Sequence, residues 1–170
     1  LSLSRIERTE FSPPDEKVNL IDILKDVQKI CKERKLFKKL KCKFFIPRKG
    51  IFVIGDESEL KQVFFNIIEN AITHSHSKKA IEVNIKQTKD LVTLIVEDFG
   101  IGVANQNIPL LTNRFYRVNP SRSRDSGNTG LGLSIVKHIL NRHNANFQIE
   151  SEMGKGSKFI VTFDKGRSAL

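Results

Sequence analysis

The chain has 170 residues, 39% hydrophobic and 28% charged, the proportions of one ordinary globular domain and not of a disordered chain. Two cysteines exclude a disulfide framework and, with no further ligands at metal spacing, a structural zinc site; no apolar run approaches the roughly 18 residues of a membrane span. Basic residues number 29 against 19 acidic, a net charge of +10 that suits a polyanion (nucleic acid, a membrane surface or a nucleotide phosphate tail) without choosing among them.

The chain starts at Leu1 and reads as a piece of a longer protein. No basic segment leads into an apolar one, so a secretory leader is not expected, and two reduced thiols fit a reducing cytoplasmic setting. Residues 1–12 have the apolar spacing of the last turns of a helix begun upstream, with Leu3, Ile6 and Phe11 on one side. Pro13-Pro14 stops it, because proline cannot continue the hydrogen-bond ladder, and 13–17 is the expected linker. From Leu20 to Cys31 apolar residues recur at helical spacing behind Asn19 as a cap. The lysines and arginines from Lys32 to Lys43 read as a solvated helix end, with membrane or nucleic-acid contact as the alternative.

Short strands are expected at 42–46 and 51–54. Gly55-Asp56 then turns into a helix from about Glu57, whose stripe of Leu60, Val63, Phe64, Ile67 and Ile68 is wide. Residues 80–87 and 91–97 alternate as two antiparallel strands about Lys89-Asp90. From Asp98 to Thr129 the periodicity breaks down, apart from a short helical piece near 109–115; a loop that long is functional or disordered. A helix resumes at Gly130, and 146–151 and 158–163 form a closing hairpin around Gly154-Lys155-Gly156. The elements predict an α+β fold: a two-layer α/β sandwich, its mixed, mostly antiparallel sheet covered by helices on one face. No strand leads into G-x-G-x-x-G or G-x-x-x-x-G-K-S/T, which excludes a Rossmann site and a Walker P-loop.

Three places carry possible chemistry. Asn66 and Asn70, four residues apart, share a helix face; they are either polar-face residues or a pair of amide oxygens aimed at a hard cation or a phosphate. Asp98-Phe99-Gly100-Ile101-Gly102 follows a buried-looking strand. A carboxylate there can accept from an exocyclic amino group such as that of adenine, and the glycines let backbone approach a flat ring; alone, the pattern also fits a plain turn. Gly127-Asn128-Thr129-Gly130-Leu131-Gly132-Leu133 opens a helix, where free N–H groups favour an anion; alone, it also fits a glycine-rich turn before a helix. Between the last two lie Arg114, Arg117, Arg122 and Arg124 on a segment able to close over a triphosphate.

Together and in this order, the segments resemble the catalytic, ATP-binding domain of sensor histidine kinases of the GHKL, or Bergerat-fold, group. NIIENAITHS at 66–75 is similar to the family's N box, DFGIG at 98–102 to its G1 box, RFYRV at 114–118 to its F box and GNTGLGLSIVK at 127–137 to its G2 box; SEMGKGSKFIVTF at 151–163 resembles its closing hairpin. The likeness covers about 18–164, leaving 165–170 as a tail. LSLSRIE, LTNRFYRVNPSRSR and VKHILNRH further resemble the family's phosphate-regulon sensors.

The resemblance implies ATP and Mg2+ as cofactors, with Asn70 and Asn66 at the metal and phosphates and Asp98 reading adenine between Gly100 and Gly102. It further implies Phe115 anchoring a lid, Tyr116, Arg117 and His74 near the nucleotide, and Thr129, Gly130, Leu131, Gly132 and Leu133 around the phosphate tail. Asn66 and Arg117 would assist phosphoryl transfer. Thr73 stands where the family often has a cation, His74 where tyrosine is frequent, and Phe99 where Asn or Asp is common.

An amide at Asn66, where hydrolytic relatives carry glutamate, predicts poor ATPase activity; Glu69 is either a base or a solvent-facing residue. None of His74, His76, His138 and His143 has the sequence context of a phosphoacceptor. The implied partners are therefore an upstream dimerising phosphoacceptor hairpin and a response regulator, in a cytoplasmic part of an inner-membrane homodimeric sensor. Direct nucleic-acid binding is not expected, since the phenylalanines sit in apolar patterns and are not interleaved with cations. The rival reading is a nucleotide-gated interaction module that has lost kinase chemistry.

Overall fold

The structure, a computed structural model, describes residues 13–34, 42–75, 79–118 and 130–165. The helix tail expected over 1–12, the loop positions from 119 to 129 and the residues after 165 lie outside it. In chain order the elements are β1 (Lys17–Asn19), α1 (Leu20–Glu33), β2 (Cys42–Phe45), β3 (Phe52–Ile54), α2 (Glu57–His74), β4 (Ile81–Gln87) and β5 (Leu91–Glu97). A 3-10 turn (Asn105–Leu110), α3 (Gly132–Arg142), β6 (Asn146–Glu152) and β7 (Gly156–Asp164) complete it.

Five strands form one sheet in the order β2-β4-β5-β7-β6. Among the described strands of this sheet β2 and β4 run parallel, and the other neighbours are antiparallel. Side chains alternate across a strand, so Val83 and Ile85, Val92 and Leu94, and Phe159 and Val161 fall on one buried face. Against that face lie Leu24 and Val27 of α1, Phe64 and Ile67 of α2, and Val136 and Ile139 of α3, all in one core. The opposite sheet face is more open: Asn84, Ile95 and Ile160 are half-buried there, and Lys158 pairs with Glu97 at 3.5 Å. The α+β sandwich with helices on one face is therefore the observed architecture. Among the described residues no helix is long and apolar enough to cross a membrane.

The caps fall where side-chain chemistry puts them. Asn19 Oδ1 accepts the N–H of Ile21 at 3.2 Å and that of Ile51 at 3.2 Å, starting α1 and tying it to the approach to β3. Asp56 Oδ1 accepts Glu59 N–H at 2.8 Å, and Glu57 and Glu59 complement the positive end of α2. Two features escape pattern reading. β1 is only three residues long and pairs with β3 as a separate ribbon, so Lys17 is already in a ladder while the sequence places it in the linker. The helical piece expected near 109–115 is instead the 3-10 turn at Asn105–Leu110, with Pro109 inside it; a missing N–H and a fixed φ suit a short tight turn and forbid a longer helix. Burial raises the Cys31 thiol to about 11 and the Cys42 thiol to about 12, with Glu69 adding to the first and Cys31 to the second, so both are inert as nucleophiles at neutral pH.

Candidate nucleotide-binding site

Asp98 stands one residue beyond β5 and is 3% exposed. Its backbone N–H donates to Ser157 carbonyl at 2.9 Å, continuing the β5–β7 ladder, and its Oδ1 accepts Gly100 N–H at 2.9 Å. Burial pushes its carboxyl above the ordinary aspartate value, while hydrogen bonds from Gly100 and Ser157 pull the other way. The group is thus a desolvated, oriented acceptor, which raises the worth of any donor brought to it. The glycines around it are steric necessities. A Cβ on Gly100 would run into the His74 carbonyl and lie 3.0 Å from Ser75 Cα. Gly102 has φ +67° and would place a Cβ on the Glu152 carbonyl; Gly156, at φ +109°, would place one on the Asp98 carbonyl. Gly154 N–H also donates to Ile101 carbonyl at 2.7 Å. The Asp98 loop is therefore wedged between the C-terminal end of α2 and the β6–β7 hairpin.

Along α2, Asn66 and Asn70 are both half-buried. Asn66 Nδ2 donates to Gly132 carbonyl at 3.3 Å, which leaves its amide oxygen as the acceptor. The Asp98 loop meets α2 at His74 and Ser75, and the start of α3 meets it at Asn66. These points are eight residues apart, about 12 Å along a helix, with Asn70 between them. Thr73 Oγ1 donates back to Glu69 carbonyl at 2.8 Å, so this hydroxyl does not replace the cation usual at its position. Glu69 is half-buried on α2, and its charge adds to the raised Cys31 thiol on α1.

Gly130 (φ +70°) and Phe115 (φ +63°) are both left-handed, and Phe115 N–H donates to Gly130 carbonyl at 3.1 Å. The ring of Phe115 is 70% exposed, so its backbone, not its side chain, ties this end of the loop to α3. Tyr116 N–H donates to Asn113 carbonyl at 3.3 Å, and Arg117 is half-buried. α3 begins after Leu131 with no side-chain cap; Ser134 Oγ donates to Leu131 carbonyl at 2.8 Å and caps nothing. The first-turn N–H groups of a helix have no intrahelical partner and suit an anion. Leu133 packs on the core and Leu131 is half-buried beside the opening. Thr129, Arg122 and Arg124 lie outside the described residues.

Ser157, which holds Asp98, was not legible in the sequence; only the β5–β7 register brings it there. Nor was the cation–π contact of Lys79 with Phe99, 3.4 Å from ring centroid to Nζ. Among the described residues no three His, Cys, Asp or Glu side chains converge as a metal site. A divalent ion would rely on the Asn66 and Asn70 amides with phosphate and water oxygens, a donor set that Mg2+ accepts.

On this sandwich a buried carboxylate at a strand end, paired amides on one helix and an uncapped glycine-led start on another make an arrangement suited to the base and phosphates of a nucleotide. Residues 55–167 match the family of histidine kinase-, DNA gyrase B-, and HSP90-like ATPases, and the chain belongs to it. The phosphate regulon sensor protein PhoR of Pseudomonas aeruginosa is 37% identical over 168 residues, 96% of this chain and 37% of that protein. The PhoR of Haemophilus influenzae is 43% identical over 71% of this chain and 28% of its own length. The sensor protein kinase WalK of Staphylococcus aureus is 38% identical over 69% of this chain and 29% of its own length. The chain thus spans about a third of these curated relatives. The mycobacterial sensor histidine kinase MprB shares the fold with a TM-score of 0.74 at 22% identity, over 88% of this chain and 97% of that one. Full-length ShkA, solved with AMPPNP, shares it at 0.74 and 20% identity, over 94% of this chain and 33% of that one.

Proposed function

We propose that the chain is the ATP-binding catalytic segment of a two-component sensor histidine kinase. The observation that carries this reading is the convergence along α2: the Asp98 loop at His74–Ser75, Asn70 in the middle, and the glycine-led start of α3 at Asn66. Asp98 would read the adenine amino group, Gly100 and Gly102 would admit the ring, and Asn70 and Asn66 would hold Mg2+ against the phosphates. The first-turn N–H groups of α3 from Gly132 onward would take the phosphate tail, with Gly130 at its mouth, Leu131 and Leu133 as walls, and His74, Phe115, Tyr116 and Arg117 at the rim. Bound Mg2+ would neutralise charge on the transferring phosphate, a reaction carried mostly by positioning and electrostatics.

The amide of Asn66 cannot deprotonate water, so transfer to a supplied nucleophile is favoured over hydrolysis. The nucleophile comes from elsewhere. His143 is buried, with Nε2 accepting Asp56 N–H at 3.0 Å and Nδ1 2.8 Å from Ile139 carbonyl, so neither nitrogen is offered to a phosphate. The upstream hairpin of a membrane-anchored homodimer would supply the histidine, and a response regulator would receive the phosphoryl group. The similarity to PhoR proteins over most of the chain favours the phosphate regulon as the setting. The engaged hydroxyl of Thr73, in place of a cation, favours the rival, a nucleotide-gated module without transfer. Incubating the chain and γ-labelled ATP with a separately expressed upstream hairpin decides between them. Label on the hairpin histidine is expected; nucleotide binding with no label assigns the interaction module instead.

A further inference from the structure

Helices α2 and α3 run antiparallel, and directional bonds join them near each end of the contact. One is at the site, Asn66 to Gly132. The other lies two turns back along α2, at the far end of α3. There Arg142 Nε donates to Glu59 Oε2 and Nη2 to Glu59 Oε1, each at 3.0 Å. His143 Nε2 accepts the backbone N–H of Asp56 at 3.0 Å, and its Nδ1 lies 2.8 Å from Ile139 carbonyl and 3.8 Å from Glu59. The side chains are shielded, 12% exposed for Arg142, 15% for Glu59 and 0% for His143. Gly55 leaves room for the ring: a Cβ there would lie 3.0 Å from His143 Cδ2. Between the two joints the neighbouring turns carry apolar core residues, Leu60 and Val63 on α2, Val136 and Ile139 on α3.

Apolar ridges packed in grooves fix a crossing angle with considerable scatter; a two-pronged guanidinium–carboxylate contact and a histidine hydrogen bond fix an axial position. A buried ion pair is also a poor source of stability compared with apolar residues of the same volume, and its better attested use is to specify one arrangement. Among the described residues no strand hydrogen-bonds to the start of α3. We infer that Glu59, Arg142 and His143 are positioning residues, a lock at the back of the helix pair that sets the first-turn N–H groups of α3 against Asn66 and Asn70 and thereby tunes the grip on the polyphosphate. Asp98 belongs to the sheet and is not governed by the lock. The inference rests on the proposed reading of the site, and the split between base and phosphates makes it testable.

The 170-residue chain is titrated with a non-hydrolysable ATP analogue plus Mg2+, and with adenosine by competition, as wild type, Arg142→Met, Glu59→Gln and His143→Gln. Folding is followed by circular dichroism. In each folded variant the analogue is expected to bind about ten-fold more weakly while adenosine stays within about two-fold of wild type, and Glu59→Gln with Arg142→Met is expected to cost no more than either alone. A folded variant that binds both ligands like wild type, or loses both equally, overturns the lock, as does failure of all three to fold where wild type is folded. A wild type that binds neither ligand contradicts the reading of the site itself.

Discussion

Asp98→Asn is expected to lower ATP affinity by about 100-fold, the worth of a desolvated hydrogen bond to a charged acceptor, and at the same time to leave the fold at least as stable at pH 7. The second half follows from the sign of the linkage. Burial is the largest influence on Asp98 and raises its carboxyl above the ordinary aspartate value. The folded chain therefore binds this proton more tightly than the unfolded chain. Stability is lost as pH rises from the unfolded value through the raised folded one. An asparagine carries no charge to desolvate, and its Oδ1 can still accept Gly100 N–H. Isothermal titration and thermal melts on the same samples separate the two effects. Unchanged affinity in Asp98→Asn would show that the base is read elsewhere; a matching collapse of affinity and melting temperature would reduce Asp98 to a structural residue.

Gly102→Ala is expected to destabilise the chain by about 3 kcal/mol, or roughly 10 °C in melting temperature for a domain of this size. Two costs combine. A side chain at φ +67° is strained, by about 1–2 kcal/mol, and its Cβ would meet the Glu152 backbone, which cannot swing aside as a flexible side chain can. Gly154 is the control: φ is +79° but nothing lies within 4 Å of its Cβ position. Gly154→Ala should therefore show only the conformational cost, about 3 °C. Equal melting shifts in the two variants would rule out the close packing of the Asp98 loop on the hairpin.

What the sequence made readable, and what it hid, divides along physical lines. Residues 81–87 and 91–97 alternate with period two and are strands β4 and β5; the α2 stripe of Leu60, Val63, Phe64, Ile67 and Ile68 is fully buried. Long periodic elements declare themselves because one face must leave water. Lys17–Asn19 does not, since three residues carry no period and β1 exists only because Val18 faces Val53 across the ribbon. The site divides likewise. Asp98, Asn66 and the glycines stand in recognisable spacings, whereas Ser157 and the Glu59–Arg142–His143 cluster join positions about 60 and 80 residues apart in sequence, which only the folded register brings together. Phe115 shows a third case: its position is motif-like, yet its hold on α3 runs through a left-handed backbone and not through the ring.

The most direct test of the central claim, that the Asp98 loop, the α2 amides and the start of α3 form one nucleotide cleft, is calorimetric titration of the unmodified chain with a non-hydrolysable ATP analogue, with and without Mg2+, beside the GTP counterpart. One analogue per chain, tighter binding with Mg2+ and at least tenfold preference for adenine over guanine are expected, since a carboxylate accepts from an amino group and repels a carbonyl. No binding, or equal binding of the two bases, would contradict it.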